Sequence, residues 1–75
     1  MNNEIRREIM VTLNDLRLDL IERSKVNYSL SKSFKKDGEI EKGEHWLMRS
    51  VEDDAIIRDL DDILLKMRME MKENA

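Results

Sequence analysis

Residues 36–43 read Lys36-Asp37-Gly38-Glu39-Ile40-Glu41-Lys42-Gly43. They contain both glycines of a 75-residue chain that has no proline anywhere. A glycine can take the left-handed backbone that closes a helix, and an aspartate just before it favours a turn. With no other breaker on either side, one interruption divides two long helix-compatible halves. The sequence therefore predicts an all-α antiparallel hairpin: helix 1 over about 3–36, a turn at 37–39 and helix 2 over about 40–73, in a single domain spanning 1–75. Each arm has about 34 residues, which at 1.5 Å per residue makes it about 50 Å long.

Outward from the turn, helix 1 begins at Asn2 or Asn3, either of which can cap it, with Glu4 placed where a negative charge suits the helix dipole. Its apolar stripe runs Ile5, Ile9, Leu13, Leu16, Leu20, then meets Arg23 and Asn27 before Leu30 and Phe34. That predicts a coiled-coil-like seam with a polar middle. In helix 2, Ile40, Gly43, Leu47 and Val51 form a first stripe. Ile57, Leu60, Leu64, Met67 and Met71 form a cleaner one, flanked by Ile56 and Ile63. The stripe rotates near Ser50, where Ser50-Val51-Glu52-Asp53 resembles a capping box and marks a possible break, although no glycine or proline interrupts the backbone there. Ile56, Ile57, Leu60, Ile63, Leu64, Met67 and Met71 cover more of the circumference than one neighbouring helix occupies, so they are the expected interface with another chain. A dimer of hairpins forming a four-helix bundle is the simplest closed arrangement.

Composition narrows the function. Charged residues make up 41% and aromatics 4%, a balance suited to solvated helices. Without cysteine there are no disulfides, thiolate nucleophiles or zinc–thiolate sites. No apolar run approaches the length of a membrane span, and charged residues occupy the place where a signal peptide would turn apolar, so a cytoplasmic protein is expected. A net charge of −3 gives no general attraction to nucleic acid or anionic membranes.

Charge is nevertheless segregated. Arg23, Lys25, Lys32, Lys35 and Lys36 fall in a stretch without acids, while Glu52, Asp53, Asp54, Asp59, Asp61 and Asp62 fall in one where Arg58 is the sole base. An antiparallel partner would bring such blocks together. His45 stands without a second histidine or a nucleophile in any recognisable arrangement, so no catalytic residue and no cofactor are expected. Trp46, Tyr28 and Phe34 are expected to pack near the turn.

Three resemblances accompany this reading. Glu41-Lys42-Gly43-Glu44 and Asp59-Leu60-Asp61-Asp62 place acids three apart on successive helical turns. Together they resemble the magnesium-binding signature of the all-α nucleotide pyrophosphohydrolases of the MazG type. The resemblance implies a cation held by Glu41, Glu44, Asp59 and Asp62. It departs from the family in having Asp59 where the family has Glu, and in carrying both pairs on one helix. The basic block, with Tyr28 and Phe34 interleaved, is similar to the basic helix face of Rop-type RNA-binding bundles, which implies phosphate contacts. The stretch from Tyr28 to Val51 is similar to one helix-turn-helix unit of a tetratricopeptide array, which implies only a hairpin. The expected function is that of a small non-catalytic adaptor or regulator, acting through self-association and binding to another protein.

Overall fold

The computed structural model describes residues 2–73. Two helices, α1 (Asn3–Lys36) and α2 (Ile40–Glu73), of 34 residues each, pack side by side as an antiparallel hairpin. Asn2 caps α1 by accepting from the Ile5 N–H at 2.9 Å, which satisfies one of the donors that a helix start leaves unpaired. At the other end Gly38 has φ +84°. The Gly38 N–H donates to the Lys35 carbonyl at 3.1 Å and the Glu39 N–H to the Phe34 carbonyl at 2.8 Å. This pair of bonds is the Schellman arrangement, which stops α1 and turns the chain straight into α2. The α2 backbone continues unbroken through Ser50, so the possible break there does not occur.

The residues turned toward the partner helix are Met10, Leu13, Arg17, Leu20, Ser24, Asn27, Ser31 and Phe34 on α1. On α2 they are Gly43, Trp46, Ser50, Asp53, Ile57, Leu60, Leu64, Met67 and Met71. Every one of them is buried or half-buried. Both sets alternate steps of three and four, the spacing that keeps a seam on one face along a whole helix. The α1 stripe expected from its isoleucines is thereby corrected, because Ile5, Ile9 and Leu16 are exposed. Successive steps of four from Ile5 to Ile9 to Leu13 wind around the helix, and only Leu13 and Leu20 of that set lie on the straight seam.

The seam has two chemically different halves. Away from the turn lie the buried leucines Leu20, Leu60 and Leu64; toward it the buried side chains are Ser24, Asn27, Ser31, Ser50 and Asp53. Small residues let the helices approach closely there. A Cβ added at Gly43 would stand 2.5 Å from Lys35 Cγ and 3.0 Å from the Ser31 carbonyl oxygen.

Candidate functional site

Asp53 is the centre of the polar half. Its carboxylate, 4% exposed, accepts from Arg23 Nη2 at 2.6 Å and from Arg23 Nε at 3.1 Å. It also accepts from Asn27 Nδ2 at 3.0 Å. The Arg23 hydrogen bond, against the opposing cost of burial and with help from the charge on Arg23, from Asn27 and from Arg49, holds the Asp53 carboxyl below the usual carboxylate range. Reciprocally, Asp53 holds the Arg23 guanidinium above its ordinary value. One residue along each helix, Ser24 Oγ donates to Asp54 Oδ1 at 2.7 Å. Its single proton is then engaged, so Ser50 Oγ, 3.0 Å from Ser24 Oγ and 3.2 Å from the Ser24 carbonyl oxygen, is the donor between the two serines. No buried side-chain nitrogen or oxygen among the described residues lacks a partner. Asp53 is therefore a structural tie whose oxygens are already occupied.

Beside this tie, a cleft of about 250 Å³ is lined by Arg23, Asn27, Trp46, Arg49, Glu52, Asp53 and Ile56. Its volume falls below the ~300 Å³ at which small-molecule sites begin, and its two cations are balanced by two carboxylates. The cleft shows that Arg23 of α1 and Arg49 and Ile56 of α2 share one side of the hairpin. By the seven-residue repeat, Ile9, Leu16 and Leu30 lie on that side of α1 with Arg23, and Ile63 and Glu70 lie on that side of α2 with Arg49 and Ile56.

The residues singled out by sequence are distributed as follows. Of the seven expected to meet a second chain, Leu60 and Leu64 are buried in the seam and Ile57, Met67 and Met71 are half-buried there. The neighbouring helix α1 thus covers five of the seven, two of them fully. Ile56 and Ile63, at 43% and 44% exposure, face outward.

The residues of the basic block differ in their partners. Arg23 is tied to Asp53, Lys35 pairs with Glu44 at 2.7 Å, Lys32 lies over the Tyr28 ring, and Lys25 and Lys36 are exposed. The pairing of Arg23 with Asp53 joins one residue of the basic stretch to one of the acidic stretch within the chain. The aromatic plug is partial: Trp46 and Phe34 are half-buried and Tyr28 is exposed, while the His45 ring packs edge-on against Trp46.

The acidic pairs Glu41/Glu44 and Asp59/Asp62 do not come together within one chain. They sit on one continuous helix, where Glu44 and Asp59 are about 22 Å apart at the standard rise. Among the described residues no group of three or more histidine, cysteine or acidic side chains is arranged to hold a metal ion, and no helix is long and apolar enough to cross a membrane.

Sequence reasoning missed the Arg17–Asp61 and Arg6–Glu70 pairs that bridge the helices in the leucine half, and it missed the serine contacts. A signal for the latter existed in the seven-residue spacing of Ser24 from Ser31 and of Gly43 from Ser50. No protein-family model matches the chain, and comparison with curated proteins and with solved structures finds no significant match.

Proposed function

We propose that the hairpin is a non-catalytic binding protein, an adaptor or regulator whose working surface is a helical face and whose first partner is another copy of itself. The observation that supports this is its excess of exposed apolar surface. Among the described residues three large hydrophobic side chains are buried, whereas fourteen are exposed. The accessible surface is 5784 Å², while a compact monomer of the same mass exposes about 4,900 Å². The excess is close to the ~800 Å² that each partner contributes to a standard protein interface. One thin seam with three fully buried leucines is also a small core for a chain of this length, and association is a usual remedy.

Sedimentation equilibrium from low to high micromolar concentration tests the reading. The wild-type chain is expected to form a defined oligomer with a concentration-dependent melting temperature, since mass action stabilises whatever state is bound. Replacing Ile56 and Ile63 together by serine should shift the population to monomer while the helical circular dichroism persists. A folded wild-type monomer at every concentration would overturn the proposal.

A further inference from the structure

The side of α2 next to its seam carries Arg49, Ile56, Ile63 and Glu70, each seven residues from the next. Read from either end, the stripe is a charge, two isoleucines and the opposite charge. All four residues are exposed, and the α2 backbone is continuous beneath them. Such a pattern is complementary to itself when a second copy runs the other way: Arg49 meets the partner's Glu70, Ile56 meets the partner's Ile63, and the two-fold axis repeats both pairs.

We propose that two hairpins dock turn-to-tail through this stripe, as an isologous antiparallel dimer with its axis beside Asp59 and Leu60. The proposal rests on the self-association reading above and fixes the face, the direction and the register of that contact.

Three further observations favour it. Ile9 and Leu16 of α1 lie on the same side of the hairpin, so the apolar strip is two helices wide. The Arg6–Glu70 pair and the Arg23–Asp53 pair bound it toward the termini and toward the turn. In this register α2 overlaps its copy from Trp46 to Glu73, about 40 Å at the standard rise, and a hairpin 15 Å wide then supplies about 600 Å² per copy, the lower end of the range for specific interfaces.

The opposite side of the hairpin is less suited. There the positions that mirror Ile56 and Ile63 across the seam are Asp54 and Asp61, and an antiparallel copy would set carboxylates against carboxylates. The alternative with both turns at one end would lay α2 over the partner's α1, placing Arg49 and Glu70 against Leu30 and Ile9. The turn-to-tail register has one cost, since it brings Asp59 of both copies close to the axis at the rim.

The test uses the symmetry. Arg49→Glu sets the new carboxylate against the partner's Glu70 twice per dimer. Glu70→Arg sets the new guanidinium against the partner's Arg49 twice, so each variant alone should associate at least about tenfold more weakly than wild type. Mixed together, the two variants form a one-to-one heterodimer in which one contact pairs two substituted side chains of opposite charge and the other pairs the native Arg49 and Glu70. Native mass spectrometry separates that species from either homodimer. Recovery on mixing cannot come from contacts within a chain, because each chain keeps its own substitution.

If the wild type associates but the single variants associate equally well, or the mixture recovers nothing, the register is overturned and self-association stands. A wild-type monomer throughout overturns both. A second measurement does not depend on those charges. In a chain without cysteine, Asp59→Cys should cross-link through a short bismaleimide, whereas Arg58→Cys, on the opposite flank of α2, should not. The reverse result would place the contact on the other side and overturn the proposal.

Discussion

Two glycines do different physical work, and substitution separates them. Gly38 is required by its backbone, with φ at +84° and open space around the missing side chain. Gly38→Ala should therefore cost about 1 kcal/mol through left-handed strain alone. Gly43 is helical and required by its surroundings. An alanine there gains about 1 kcal/mol of helix propensity but drives a methyl into Lys35 Cγ and the Ser31 carbonyl, and such overpacking costs about 1–3 kcal/mol. A net loss of about 1 kcal/mol in urea denaturation is expected, and a gain would mean that α1 moves away without penalty.

Asp53 carries the pH dependence. Its folded pKa lies below the ordinary value, so its contribution to stability is full above about pH 4, where the unfolded carboxyl is already ionised. The contribution is lost as pH falls through the folded value. Asp53→Asn should cost about 1–2 kcal/mol at neutral pH and flatten the acid limb below about pH 4. A melting profile that keeps the wild-type acid slope would assign that slope to other carboxylates. The turn glycine was legible in the sequence because a left-handed helix stop has a local signature. The Asp53 tie was not, because its meaning depends on Arg23 lying 30 residues away.

At the scale of the helix, what decides the seam is regularity of spacing rather than the most apolar residues. The α2 stripe from Ile57 to Met71 was legible because its hydrophobic residues already follow steps of three and four. In α1 the isoleucines follow a different rotation from the residues that face α2, and the eye is drawn to them because Ser24, Asn27 and Ser31 do not look like core. Those small polar residues occupy the seam because they hydrogen-bond across it and permit close approach. Leu64, 3% exposed, belongs to the apolar half, so Leu64→Ala should destabilise the hairpin by about 2–3 kcal/mol. Leu65→Ala, one residue on and 54% exposed, should change it by less than about 0.5 kcal/mol. Equal effects in thermal unfolding would mean that the two residues are similarly buried in solution.

As a whole molecule the hairpin is a rod. Its radius of gyration is 16.9 Å, against about 11 Å for a compact domain of this length. Among the described residues no third layer covers either broad face, so the outward stripe on α2 gains significance only at this scale; in the sequence Ile56 and Ile63 look like part of the core stripe beside them. The segregation of the seam into polar and leucine halves has a kinetic consequence. Contacts near the turn close short loops, such as the 26 residues between Ser24 and Ser50, but they consist of hydrogen bonds whose net contribution in water is small. The contacts that release most free energy lie toward the open end, near the Arg17–Asp61 pair that spans 44 residues. Most of the roughly 3 kcal/mol of closure entropy falls on the contacts near the turn, since lengthening the loop from 26 to 44 residues adds only about 0.5 kcal/mol, and it is met before any leucine is buried. A chain that begins to zip at Gly38 therefore climbs before it descends, and its folding barrier sits where the serines give way to leucines.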